Sequence, residues 1–501
     1  MSQKLAGRLR GYVLAIAAAV ATIGVVPVAS AVSPYLPDPG QSGTLTIHKT
    51  KAPDSLSGVP GDPIPGVTFS VEQVTGIDLT TNAGWQDASA LSSTYNADDA
   101  AGSIQSAGYG LAAADGSPVT TDSAGEASLS SLPLGLYLVS ETQWPAGATP
   151  SVPFLVTVPE TQPDGAGWLY DISVYPKNSV DGVTKSVDDA ASVALGDPVS
   201  WTIIGDIPNV ARIDGYKILD HLDAKLDYKS AATTLVDGTP ISSGVDYDLV
   251  FDPATHTLSL TFTDKGTAVL AAHRATQVKV VVGTVVNAVG VVANTAVLYP
   301  NQHSFGVEPG QPGGPVESPP VVTKWGSITV QKTDPNGNPL AGAVFSVYPT
   351  KADAEDRAHA ISLGGHTSFP VDAQGRLTIA GLRYSDFADG AEVSPGASGY
   401  RAYWLGETKA PQGYDILGEP VEFAVTAQTT AVGVDLVVTN VRTVVAPPTG
   451  CHHGKECQPP GGIDHLLPST GGPRAALVLG GVVLLLGGVL MVRKNRHREE
   501  V

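Results

Sequence analysis

The segment Gly43-Thr44-Leu45-Thr46-Ile47-His48-Lys49-Thr50 returns as Gly326-Ser327-Ile328-Thr329-Val330-Gln331-Lys332-Thr333, and both copies alternate apolar with polar residues. A period of two is the pattern of a half-buried strand, so its reuse argues for β structure at both places. Two further pairs follow in the same order. Pro65-Gly66-Val67-Thr68-Phe69-Ser70-Val71 corresponds to Ala341-Gly342-Ala343-Val344-Phe345-Ser346-Val347, and Tyr137-Leu138-Val139-Ser140-Glu141-Thr142 to Tyr403-Trp404-Leu405-Gly406-Glu407-Thr408. Three matches in one order mean two related modules. The rest of the interior consists of short alternating runs punctuated by Gly, Pro, Asp and Asn, with no useful helix-period stretch away from the ends. The expected fold class is all-β, with a different β module between the two repeats.

Both ends read as addresses. Lys4, Arg8 and Arg10 precede an apolar run from Tyr12 to Val28 and the small residues Ala29-Ser30-Ala31, which predicts a signal peptide over residues 1–31. Ala475 to Val492 is an 18-residue apolar run followed by Arg493, Lys494, Arg496 and Arg498, long enough to span a bilayer with a cytoplasmic basic stop. Between residues 32 and 470 remain 21 basic and 46 acidic side chains, a net charge of −25, which argues against binding nucleic acid. Two cysteines cannot staple a chain of 501 residues, so its rigidity must come from elsewhere.

Strand parity supplies a candidate. Lys49 shares a face with Leu45 and Ile47, Lys332 with Ile328 and Val330, and Lys185 with Val183 and Val187. The same count turns Glu141, Glu407, Asn294 and Asn440 inward. One reading is three buried lysine–carboxylate ion pairs with satisfied asparagines, although such pairs seldom gain net stability. The other uses the cost of burial. Desolvation favours a neutral amine and a protonated acid, so the amine can attack an Asn side-chain carbonyl, expel ammonia and leave an isopeptide bond between two strands.

Longer motifs carry a family resemblance. Leu467-Pro468-Ser469-Thr470-Gly471, standing before the apolar run and basic tail, matches the LPxTG sorting signal of Gram-positive surface proteins. Tyr403-Trp404-Leu405-Gly406-Glu407-Thr408-Lys409-Ala410-Pro411-Gln412-Gly413-Tyr414 resembles the E-box (YxLxETxAPxGY) of collagen-adhesin B-type (Cna-B) domains. Trp168-Leu169-Tyr170-Asp171-Ile172-Ser173-Val174-Tyr175-Pro176-Lys177-Asn178 resembles the pilin motif WxxxVxVYPKN, with Ile172 in place of the first Val. Together these resemble a sortase-assembled major pilin, the shaft subunit of a Gram-positive pilus.

The resemblance implies three tandem immunoglobulin-like, Cna-B-type β-sandwich domains. They would span residues 32–178, 179–301 and 324–443, with a Pro/Gly linker at 302–323, a Pro-rich stalk at 444–466 and the sorting region at 467–501. It also implies that a sortase cuts after Thr470, holds its carbonyl as a thioester and passes it to the Lys177 amine of the next subunit. Parity turns Lys177 away from Ile172 and Val174, so it should be exposed. Internal bonds would join Lys332 to Asn440 beside Glu407, and Lys185 to Asn294 beside an aspartate. Parity selects Asp220 rather than Asp223 for that role. Lys49, Asn178 and Glu141 form the corresponding first set, although Trp144-Pro145-Ala146-Gly147 replaces the E-box Ala-Pro-x-Gly there.

Implied partners are a pilin-specific sortase, a housekeeping sortase with peptidoglycan, identical subunits in a head-to-tail polymer, a tip pilin, and a host or bacterial surface receptor. The product would be a wall-anchored surface fimbrium that passes through a single-pass membrane precursor. A single anchored adhesin is the alternative function, and it would have no use for an acceptor lysine. Cys451-His452-His453-Gly454-Lys455-Glu456-Cys457 carries metal-ligating residue types, but an exported chain with no second cluster favours a small Cys451–Cys457 disulfide loop. Neither a metal nor another cofactor is expected.

Overall fold

The computed structural model describes residues 36–52, 61–165, 167–274, 276–431 and 433–444. The signal segment, the Cys451–Cys457 loop, Leu467, Pro468, Ser469, Thr470, Gly471 and the apolar span lie outside the described residues.

The chain is mostly β. In the first module Gly43–His48 pairs antiparallel with Glu126–Leu132 and parallel with Asp171–Val174. Facing this sheet, Thr68–Thr75 pairs with Gly135–Gln143, which pairs in turn with Phe154–Val158. Alternate side chains of the two sheets, among them Leu45, Ile47, Phe69, Val71, Tyr137 and Val139, form the core between them. The third module repeats the plan. Val321–Thr333 pairs antiparallel with Arg376–Arg383 and parallel with Leu436–Thr439, while Val344–Tyr348 pairs with Tyr403–Lys409. Even an irregularity is repeated: the register slips between Thr68 and Phe69, opposite Glu141, and between Val344 and Phe345, opposite Glu407.

The middle module packs a four-stranded sheet (Val183–Asp188, Pro198–Asp206, Gln277–Val286, Leu226–Leu235) on a five-stranded one (Tyr247–Asp252, Thr257–Phe262, Lys217–His221, Ala296–Tyr299, Val316–Glu317). Trp201, Ile203, Leu260, Val280 and Leu298 are buried between them.

Three features depart from the sequence reading. Asn82–Thr94 is a 13-residue helix, with Thr81 accepting from the Gly84 N–H at 3.0 Å as its N-cap. With Ala100–Ser106 it covers Val74, Leu136 and Leu138, the outer face of a sheet whose inner face is already core. A sheet apolar on both faces needs a second cover, and burying each large aliphatic side chain contributes roughly 1.5–3 kcal/mol.

Second, the 302–323 segment, expected as a Pro/Gly linker, is packed against the first two modules. His303–Gly306 is a 3-10 turn, Val316–Glu317 joins a sheet, Gly313 N–H donates to Trp144 O at 2.6 Å, and Gly147 N–H donates to Gly314 O at 2.9 Å. Its glycines and prolines shape a strap that bridges the first two modules. Third, residue 324 is not a boundary. The 13-residue strand Val321–Thr333 begins by pairing with Gly290–Asn294 and ends in the third module, and its Trp325 belongs to the middle core.

Candidate functional site

Each lysine of interest is fixed by its own backbone. The Lys49 N–H donates to Gly125 O and the Lys332 N–H to Gly375 O, both at 2.7 Å. These glycines have φ of +74° and +70°, and a Cβ on either would come within 2.5 Å of Lys49 O or 2.8 Å of Lys332 O. Only glycine fits there without displacement. An aspartate closes each turn. Asp122 Oδ1 accepts from Ala124 and Glu126 N–H, and Asp372 Oδ1 from Gln374 and Arg376 N–H. The sequence reading passed over this pair of turns, although Asp-x-x-Gly at both places was a legible fourth match between the repeats.

With the main chain so held, three sets of side chains converge in the cores. Lys49, Asn178, Lys185, Asp220, Asn294, Lys332, Glu407 and Asn440 are all buried, and the Glu141 carboxyl side chain is 1% exposed. In the third module Lys332 Nζ donates to Asn440 Oδ1 and, at 2.9 Å, to Val438 O. The Asn440 amide nitrogen faces both Glu407 oxygens, at 3.0 and 2.9 Å. In the first module Lys49 is instead ion-paired with Glu141 Oε1, while Asn178 Nδ2 donates to Glu141 Oε2 at 2.9 Å. In the middle module Lys185 Nζ lies 2.6 Å from Asp220 Oδ1 and donates to Thr295 O at 3.2 Å. Asn294 is near enough to Asp220 to favour its ionised form, yet both polar atoms of its amide lack a hydrogen bond among the described residues. Asp223, the other candidate, pairs with Lys225 at 3.3 Å on a more exposed site.

Burial sets the electrostatics. Desolvation pulls Lys49, Lys185 and Lys332 down to about 8, against the opposing attraction of Glu141, Asp220 and Glu407. It also raises Asp220, with Lys185 opposing. An appreciable neutral-amine fraction near neutral pH is what a nucleophilic lysine requires.

Two links recur around the carboxylate: one fastens its strand to the segment carrying the asparagine, the other ties the carboxyl group to the loop that follows it. The residue six beyond each Glu accepts from the residue three beyond each Asn: Gly147 O from Asp181 N–H at 2.9 Å, and Gly413 O from Thr443 N–H at 3.0 Å. The residue ten beyond each Glu donates its N–H to that carboxylate, Ser151 to Glu141 at 3.3 Å and Leu417 to Glu407 at 2.8 Å. The departure of Trp144-Pro145-Ala146-Gly147 from the E-box now has a structural reason, since this turn receives the strap and Trp144 packs on His303 at 4.8 Å.

Lys177 opens the strand Lys177–Val180, which pairs parallel with Thr50–Lys51 and antiparallel with Ala148–Thr149. Alternation turns Asn178 into the core and leaves Lys177 half-buried, not fully exposed as expected; Thr50 pairs beside it, while the Ala148–Thr149 strand pairs only with Ser179 and Val180. Upstream, Ile172 and Val174 are core residues, Tyr175 stacks on His48 at 4.8 Å, and Trp168 stacks on Trp85 at 5.0 Å.

Sandwich modules that each seat a lysine, a carboxyl group and an asparagine in the core are the architecture of a structural β protein. Residues 40–179 match the family model Gram-positive pilin subunit D1, N-terminal domain, and residues 326–439 match the Prealbumin-like fold domain. The fimbrial subunit type 2 of Actinomyces naeslundii is 31% identical, over 86% of this chain and 89% of its own. The fimbrial subunit type 1 of Actinomyces viscosus is 29% identical over 98% of each. The full-length major pilin SpaD from Corynebacterium diphtheriae is similar with a TM-score of 0.62 and 26% identity, over 81% of this chain and 99% of that one. The chain belongs to the fimbrial-subunit family of Gram-positive pilins.

Proposed function

We propose that this protein is the covalently polymerised shaft subunit of a surface fimbrium, with Lys177 as acceptor and Thr470 as donor. The observation that carries the reading is the position of Lys177, at the start of a strand whose next residue, Asn178, is locked in the core, so that its amine is presented from a rigid edge. A pilin-specific sortase cleaves between Thr470 and Gly471, and the thioester so formed is attacked by Lys177; the amide forms and the enzyme thiol is released. Repetition of one unlike contact, C-terminal end to first module, propagates an open fibre. A housekeeping sortase then transfers the last subunit to peptidoglycan.

Within each subunit the three core sets form isopeptide bonds: Lys49 to Asn178, Lys185 to Asn294 and Lys332 to Asn440. The lysine proton passes to Glu141, Asp220 or Glu407, and the neutral Nζ attacks the Asn Cγ. The Cγ–Nδ2 bond breaks, and the nitrogen leaves as ammonia with the proton that Nζ loses on becoming the amide, while the first lysine proton returns from the carboxyl group to water. Closure also expels the Asn294 amide nitrogen, which makes no hydrogen bond among the described residues; burying such a group without a partner costs roughly 1–3 kcal/mol.

Lys177→Ala should abolish the high-mass ladder on a blot of boiled cell-wall extract while the monomer remains folded and exported. Lys177→Arg should fail equally, because a guanidinium stays protonated. A ladder persisting in either variant would overturn the assignment.

A further inference from the structure

The first and third sets share residue types, strand order and bulge, but they differ at the residue ten beyond the glutamate, Ser151 in one and Leu417 in the other. In the third module Leu417 offers Glu407 only its N–H, at 2.8 Å, and both carboxylate oxygens face the Asn440 amide nitrogen. Lys332 is then free to sit on the Asn440 carbonyl oxygen. In the first module the Ser151 hydroxyl donates to Glu141 Oε1 at 2.5 Å, the same oxygen that holds Lys49, and the Ser151 N–H also reaches it at 3.3 Å. That N–H donates to Asn178 Oδ1 at 2.8 Å, occupying the oxygen whose counterpart in the third module receives the lysine. Pro150 and Pro153 restrict themselves and the residues before them, Thr149 and Val152, on either side of Ser151, so the segment that carries it has little conformational freedom.

We propose that Ser151 is a positioning residue for the Lys49–Asn178 bond, which its hydroxyl slows by holding Lys49 on Glu141 Oε1 in the charged pair. The inference rests on the isopeptide reading of that set. A hydroxyl hydrogen bond to a carboxylate stabilises the negative oxygen, and with it the ammonium beside it, against the proton transfer that must precede attack. The step itself is unchanged: Nζ–Cγ forms, Cγ–Nδ2 breaks, and ammonia leaves.

The test is a time course after translation arrest, following the full ectodomain by intact mass and the Lys49–Asn178 linked peptide by tandem mass spectrometry. Ser151→Ala should form the linked peptide about ten-fold faster than wild type, since hydrogen bonds to charged groups are among the stronger ones. Ser151→Thr keeps the hydroxyl and should retain the wild-type rate, a rescue that loss of packing alone would not predict. Leu417→Ser should slow formation of the Lys332–Asn440 peptide. An unchanged or slower rate in Ser151→Ala, or a Thr variant that behaves like Ala, overturns the role of Ser151. Absence of the linked peptide from wild type and every variant instead overturns the isopeptide reading of the first set, and Glu141→Ala supplies the unlinked reference.

Discussion

The first and third modules are one design used twice, and they part company around the carboxylate. Both hold the lysine by a glycine turn, place the glutamate opposite a bulge, and fasten its strand to the asparagine segment through residues at the same offsets. In the third module the lysine faces the asparagine and the acid faces the leaving nitrogen, whereas in the first the lysine is paired with the acid. The backbone therefore specifies which side chains meet. The residues around the carboxylate decide in which orientation they meet.

Removing the carboxylate should separate the two most strongly. Glu407→Ala should leave one more ammonia in the intact mass and expose the third module to protease. A bond closing the 108-residue separation between Lys332 and Asn440 is worth roughly 4–5 kcal/mol on the chain-entropy model. Glu141→Ala should cost more, because it also strands Lys49 as a buried unpaired charge, a loss of about 3–5 kcal/mol on its own. Thermal unfolding of the two ectodomain variants checks the order. Equal losses, or continued ammonia release from Glu407→Ala, would break the comparison.

The joints that follow the asparagines differ too. Three residues beyond Asn440 stands exposed Thr443, whereas three beyond Asn178 stands Asp181, buried, bonded by Ser179 Oγ at 2.7 Å and with no hydrogen bond to its Oδ2 among the described residues. Desolvation pushes Asp181 up to about 7; Asp206 adds to the rise, while Ser179 and Lys51 oppose it. A carboxyl raised on folding contributes stability that is fully present below its unfolded value and lost as pH rises through about 7. Asp181→Asn cannot ionise, so its advantage over wild type should widen by about 2–3 kcal/mol between pH 5 and pH 8 in thermal unfolding of the ectodomain. An advantage of the same size at both pH values would contradict the assignment.

The inward lysines were legible because strand alternation is strict: Lys49, Lys185 and Lys332 could be placed by counting from their apolar neighbours. Asp220 was separable from Asp223 for the same reason. The Asn82–Thr94 helix was not legible, since its apolar positions Trp85, Ala88 and Leu91 are diluted by Ser, Ala and Gly, and its reason to exist lies in the distant outer face of Leu136 and Leu138. The strap was misread because its binding is through backbone groups of Gly313 and Gly314, which composition cannot distinguish from an open chain. Lys177 alternates with buried Asn178 as the count required, but parity says nothing about a neighbouring strand, and Thr50–Lys51 pairs beside it.

The smallest effect tests whether the repeats are equivalent beneath their chemistry. Gly125 and Gly375 both sit in the left-handed region with the lysine carbonyl against the position of the missing Cβ, so alanine at either must move the turn away from the lysine. Each substitution should cost about 1–2 kcal/mol, combining strained φ with the displaced contact. It should be measured where no bond can mask it, Gly125→Ala in an Asn178→Ala background and Gly375→Ala in an Asn440→Ala background, by thermal unfolding against each parent. Around Gly125 the next neighbours are Pro63 Cβ at 3.0 Å and Ile64 N at 3.2 Å; around Gly375 they are Gln331 Nε2 at 2.9 Å and Leu340 N at 3.0 Å. The Gln331 amide is the end of a flexible side chain and can yield, whereas Pro63 is rigid, so the loss in the first module should be the larger by a few tenths of a kcal/mol. A loss in one module with none in the other would show that the two turns do not hold their lysines in the same way.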